Sequence, residues 1–91
     1  MGSEEKVLIR KPSSEEIQKL GVFNWPVWEK EESEFDWYYP EDETFYVVEG
    51  EAEVELEDGS KVHFGKGDLV TFKKGVRCVW RILKPIRKHY R

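Results

Sequence analysis

The sequence predicts a single all-β domain, a small sandwich or barrel. Three observations carry that expectation. Seven or eight short β-branched or aromatic runs are separated by turn residues every few positions. One of them, Glu51–Glu57, alternates strictly, with Ala52, Val54 and Leu56 set against Glu51, Glu53, Glu55 and Glu57. The chain has 91 residues, 38% apolar and 14% aromatic, which is enough for one packed core spanning 1–91 and too little for a second.

The elements follow in order. Lys6–Arg10 reads as an N-terminal strand with Val7 and Ile9 on one side. One short helix is expected at Ser14–Leu20. Ser13 and Glu16 form a capping box, Gly21 stands where a helix stops, and Ile17 and Leu20 share a face. Val27–Lys30 and Phe35–Tyr39 are aromatic-rich strands. Pro40-Glu41-Asp42 turns the chain into Thr44–Val48, and Gly50 separates that run from Glu51–Glu57. Asp58-Gly59 is expected to close a two-residue hairpin onto Lys61–Phe64. Gly65-Lys66-Gly67-Asp68 turns again, and the strands Leu69–Phe72, Val76–Leu83 and Ile86–Tyr90 complete the chain.

The net charge of −4 conceals an asymmetry. Residues 1–58 carry 18 Asp/Glu and 5 Lys/Arg, whereas residues 59–91 carry 1 and 10. Acidic and basic strands lying side by side would neutralise each other across a sheet. A nucleic-acid surface is the less favoured reading, because a chain acidic overall repels phosphate at long range. No apolar run reaches the roughly 20 residues of a membrane helix. The acidic head Met1-Gly2-Ser3-Glu4-Glu5 does not suit a signal or transit peptide, and Lys6 replaces the Ser or Thr of a myristoylation start. With a lone cysteine, Cys78, a reducing cytoplasm is the expected compartment.

Chemistry-bearing residues are few. There is no Gly-rich phosphate loop and no G-x-S-x-G elbow. His63 is expected to be exposed, on the strand face opposite Val62 and Phe64, and His89 sits among Arg87, Lys88 and Arg91. Cys78 shares a face with Val76, Trp80 and Ile82 and reads as a small buried hydrophobe. Arg77 and Arg81 point the other way, toward partners on the acidic strand.

The spacing then becomes specific. Glu43, six residues and Gly50 match the second part of the motif G-x5-H-x-H-x3,4-E-x6-G, and Gly67–Cys78 matches G-x5-P-x-G-x2-H, with Lys73 at the Pro position and Cys78 at the His position. With Asn24–Lys30, Glu34–Tyr39, Trp80 and Arg87–Tyr90, the chain resembles the small single-domain cupins of unknown function, distant relatives of the ureidoglycine aminohydrolase cupins, over about residues 6–91.

The resemblance implies a double-stranded β-helix, a jelly-roll barrel whose mouth holds the site. Metal-binding cupins use two His and a Glu from the first motif and a His from the second. Here the first two positions fall on Asp36 and Tyr38 or on Trp37 and Tyr39, Glu43 is kept, and Cys78 is the fourth. No cofactor is therefore expected. A divalent metal on Asp36, Glu43 and Cys78 is the alternative, although such a histidine-free set is unusual for zinc or iron. Aromatic residues at the imidazole positions suggest a mouth that binds a small polar molecule, with Trp37, Tyr39, Phe45, Cys78 and Trp80 as the binding residues. The same rings would equally serve to fill a small barrel. Glu43 is the candidate general acid or base, or else a hydrogen-bond partner for Tyr38, Tyr39 or Trp80. The residues lean away from an enzyme. A metal-dependent hydrolase acting on a nitrogenous or hydroxy-acid substrate, and an interaction module using the basic C-terminal third, are the alternatives. A homodimer formed through a sheet edge is expected, and a monomer mass by light scattering would overturn it.

Overall fold

A computed structural model of the chain describes residues 6–91, and the Met1–Glu5 head lies outside the described residues. Seven strands and one helix follow in the order β1 (Val7–Arg10), α1 (Ser14–Leu20), a 3-10 turn (Val22–Asn24), β2 (Val27–Lys30), β3 (Ser33–Tyr38), β4 (Glu43–Leu56), β5 (Lys61–Gly65), β6 (Leu69–Phe72) and β7 (Arg77–Tyr90). The helix forms where the capping box placed it. Ser13 Oγ accepts from the Glu16 amide at 3.1 Å, and Gly21 ends the helix in the left-handed conformation at φ 68°.

All pairing is antiparallel, and two 14-residue strands, β4 and β7, run through the whole assembly. The first half of β4 pairs with β6, and its second half with β5. The first half of β7 pairs with β3, and its second half with β2. One sheet face is therefore β1-β6-β4-β7-β2, and the other is built from β5, β4, β7 and β3. This is the jelly-roll layout, with the two long strands turning from one sheet into the other.

The sequence reading divided both long strands. Thr44–Val48 and Glu51–Glu57 are one strand, and so are Val76–Leu83 and Ile86–Tyr90. Gly50 is the reason the pattern looked interrupted. Inward residues of β4 are Phe45 and Val47 before it and Ala52, Val54 and Leu56 after it, so the odd–even phase flips. The register to β7 shifts at this point, as an extra residue in one strand requires. Gly50 has φ 95°, and a Cβ there would lie 2.2 Å from the Pro85 carbonyl oxygen. Only glycine permits the backbones to meet so closely. The β4–β5 hairpin also differs from expectation. The Leu56 amide donates to the Ser60 carbonyl at 2.8 Å and the Gly59 amide to the Leu56 carbonyl at 2.9 Å, which makes a three-residue loop, Glu57-Asp58-Gly59.

The interior is aromatic. Trp80, Tyr39, Phe45, Phe64 and Phe72 are almost completely buried. Tyr39 stacks on Phe72 at 4.5 Å between centroids, and Trp80 meets Phe45 at 5.8 Å and Phe64 at 5.3 Å. Outside, the expected neutralisation is present. Arg81 reaches Glu55 at 3.1 Å and Glu34 at 3.4 Å, and Arg87 reaches Glu49 at 2.6 Å and Glu29 at 3.1 Å.

Candidate functional site

A cavity of about 180 Å³ opens between the aromatic layer and the rim of the barrel, lined by Trp28, Phe35, Trp37, Tyr39, Glu43, Trp80, Lys88 and Tyr90. Strand alternation explains each position. On β3, Phe35 and Trp37 share the inward face. On β7 the even residues Cys78, Trp80, Ile82, Ile86 and Lys88 point in. On β4, Glu43 precedes Phe45 and Val47 in their inward phase. Trp37 is 45% exposed while lining the cavity, so it marks the mouth.

Four of the residues singled out from sequence thus meet: Trp37, Tyr39, Glu43 and Trp80. Of the two motif alignments, the one placing Trp37 and Tyr39 at the imidazole positions is the one whose side chains face the cavity. Phe45 does not line it. Phe45 is fully buried one layer below, packed on Phe64 and Phe72. Cys78 faces inward and is buried, but it borders a separate, wider hollow of about 540 Å³ together with Asp36, Tyr38, Glu55 and Arg77. Its Sγ lies 3.6 Å from the Trp37 carbonyl oxygen. Burial pushes the thiol up to about 11, which leaves it unreactive at neutral pH.

The sequence reading missed Lys88. Its side chain is 6% exposed, and its Nζ donates to Glu43 Oε2 at 3.1 Å. The ammonium rests 3.8 Å from the Phe45 ring centroid, 4.8 Å from Trp80 and 4.9 Å from Trp28. Three ring faces and one carboxylate therefore hold one cation. Burial drives the Lys88 ammonium down to about 8, and the Glu43 carboxylate only partly opposes this. A signal for Lys88 existed in the sequence. The inward even phase of Cys78, Trp80 and Ile82 is interrupted at Lys84, which is exposed and reaches Glu51 at 3.7 Å, and resumes at Ile86 and Lys88.

Glu43 accordingly has a partner other than the Tyr38, Tyr39 or Trp80 that the sequence suggested. Tyr39 Oη and Trp80 Nε1 are instead buried with no hydrogen-bonding protein group. Burial, reinforced by the nearby Glu43 and Cys78 and only partly opposed by the Trp80 indole N–H beside it, pushes the Tyr39 phenol far above its ordinary value, so it stays a protonated donor.

The metal set Asp36, Glu43 and Cys78 is not assembled. Asp36 lies on the outward face of β3, and among the described residues no three His, Cys, Asp or Glu side chains converge to hold a metal. The donor chemistry also disagrees with a metal. The carboxylate that would take a divalent cation already faces an ammonium. The histidines are engaged elsewhere, His63 with Glu51 and His89 Nδ1 with the Trp25 carbonyl at 3.1 Å. No helix of the described residues is long and apolar enough to cross a membrane.

Comparison with known proteins places this geometry. Nothing matches among the curated proteins. Among solved structures, a DUF861-family protein from Thermotoga maritima is 58% identical, covers 93% of this chain and 97% of its own, and superimposes with a TM-score of 0.92. The EutQ protein of Clostridium difficile is 30% identical over 70% of this chain and 50% of its own length, with a TM-score of 0.65. A DUF861 protein of unknown function from Pseudomonas syringae is 29% identical over 70% of this chain and 28% of its own, at 0.64. The model of the EutQ-like cupin domain matches residues 17–90, and the chain belongs to the EutQ-like cupin family.

Proposed function

We propose that this cupin binds a small polar molecule in the aromatic cavity, by a flat apolar body and at least one hydrogen-bond-accepting oxygen. One observation carries the reading: Tyr39 and Trp80 both line the cavity, and among the described residues neither Tyr39 Oη nor Trp80 Nε1 is in hydrogen-bonding geometry with a protein group, although the indole N–H lies near enough to the phenol to oppose its rise. A buried donor left unanswered costs about 1–3 kcal/mol, and a ligand oxygen that reaches either one through a small shift of the surrounding rings recovers it. The rings of Trp28, Phe35 and Trp37 supply the apolar walls, and the volume of about 180 Å³ suits a compact molecule. Lys88 adds positive charge at the cavity floor, which favours an oxygen that is anionic or strongly polarised.

A thermal-shift screen of small heterocyclic and aromatic carboxylic acids and amides tests the proposal. A binder should raise the melting temperature of the native protein. Tyr39→Phe should weaken it by about tenfold, the value of one hydrogen bond of ~1.4 kcal/mol. Trp37→Ala, at the exposed mouth, should weaken it further without unfolding the barrel. Binding unchanged in both variants would remove the cavity as the site.

A further inference from the structure

We propose that Lys88 is a carbonyl-capturing nucleophile: its Nζ forms an imine with a small aldehyde or ketone held in the aromatic cavity, and Glu43 moves the protons. The proposal rests on the cavity being a ligand site and adds both the substrate class and a covalent step.

Lysine is almost never fully buried without a reason. Filling space is not that reason, since a Met would occupy the same volume with no charge to desolvate, and the ring faces and Glu43 that hold the cation only partly offset its burial. The surface ion pairs of β7 give none either, because Arg81 and Arg87 meet their acids on the outer face while Lys88 points inward. The cavity reaches Lys88 from the mouth at Trp37, so a small molecule has a route to the amine. Burial lowers the ammonium to about 8, which leaves a working fraction of free amine at neutral pH, whereas an ordinary lysine has almost none. Tyr39 and Trp80 line the cavity beside Lys88, and their buried O–H and N–H are the protein donors nearest to hand for a carbonyl oxygen that gains charge.

The step balances with these residues alone. Glu43 accepts a proton from the Lys88 ammonium at 3.1 Å. The freed lone pair attacks the carbonyl carbon, and the π electrons move to oxygen. Proton transfer from nitrogen to that oxygen gives a carbinolamine. Glu43 then delivers a proton to the hydroxyl, which leaves as water while the nitrogen lone pair forms the C=N bond. The product is a protonated imine and one water, with no oxidant or reductant consumed. The new cation keeps the faces of Phe45, Trp28 and Trp80.

The experiment is reductive trapping. Native protein is treated with about one equivalent of propanal and cyanoborohydride at pH 7, and the adduct is located by intact mass and peptide mapping. One adduct on Lys88, exceeding any other lysine by about tenfold or more, is expected from its free-amine fraction. Lys88→Arg should abolish it, and Glu43→Gln should slow it by tenfold or more, as loss of a proton carrier does. Labelling at Lys88 should level off above pH 8, while surface lysines continue to gain through pH 10. The ionisable side chains lining the cavity with Lys88 are Glu43, Tyr39 and Tyr90, and β2 presents Trp28 there. If Lys88→Arg fails to fold, the mapped position of the adduct in the native protein decides. Adducts spread over surface lysines with Lys88 unmodified would overturn the proposal. If Trp37-dependent binding of an acid or amide survives in that case, only the nucleophile falls. If it is absent too, the cavity itself is not the site.

Discussion

The two halves of β7 each carry a cation of the same sign, in opposite surroundings. Arg81, in the first half, lies on the outer face with its side chain 32% exposed and three glutamates around it. Its hydrogen bond to Glu55 holds the guanidinium above its usual value, so the fold favours that charge. Lys88, in the second half, lies on the inner face with one glutamate, and burial works against its charge. An exposed cation beside several acids is easily formed and worth little. A buried cation beside one acid is costly to form and strongly coupled to its partner. The difference teaches where to look for function: a charge whose desolvation outweighs what Glu43 returns, carried in the barrel interior beside a cavity, is a group to test for chemistry.

Three measurements test that contrast. The largest effect is expected from removing the acid beside Lys88. Glu43→Ala leaves a buried ammonium without a counter-charge and should cost about 4 kcal/mol in urea unfolding at pH 7. Adding Lys88→Met to that variant should restore most of the loss. If the double variant is no more stable than Glu43→Ala, the pair is not coupled as its 3.1 Å contact implies.

Next comes the pH dependence. Folded Lys88 loses its proton near pH 8, whereas the unfolded chain holds it to about 10.5. Between those values the unfolded state binds more protons, so the stability of the native protein should rise with pH relative to Lys88→Met. The cost is fully present below pH 8 and gone above about 10.5, and its size approaches about 3 kcal/mol. Cys78 acts in the opposite direction, because its raised thiol keeps a proton that the unfolded chain loses above pH 9. Tyr39 does the same at higher pH. Both groups are present in Lys88→Met, so they cancel in the difference. A flat difference from pH 7 to 10.5 would show that Lys88 is not desolvated.

The smallest effect belongs to Arg81. Arg81→Met should lower the melting temperature less than either change at the Lys88 pair, and the loss should shrink as salt is raised. A salt-independent loss as large as that of Glu43→Ala would erase the distinction between the two halves.

Much of this molecule was legible in one dimension. The alternation of Glu51–Glu57 is the half-buried stretch of β4, and Ser13, Glu16 and Gly21 bound the helix at its observed ends, because capping and alternation are local consequences of backbone geometry. The motif spacing brought Trp37, Tyr39, Glu43 and Trp80 to one mouth. Cys78 stands at the fourth motif position and Phe45 is one more aromatic residue beside Glu43, but motif position and residue type select a neighbourhood and not a depth. Phe45 lies a layer below, and Cys78 borders the neighbouring hollow.

The sequence by itself determined a small all-β sandwich or barrel with an acidic strand and a basic strand, because periodicity and turn chemistry are written along the chain, and the cupin resemblance of its motifs narrowed that to a jelly roll. Only the tertiary structure decided the site. It needed the Gly50–Pro85 approach, where β4 shifts register against β7 and its inward phase flips. It also needed the folded interior, where Glu43 and Lys88, 45 residues apart, face each other at 3.1 Å and a nominally exposed type of residue becomes a desolvated amine. Such proximity and loss of water are properties of packing, and no local pattern encodes them.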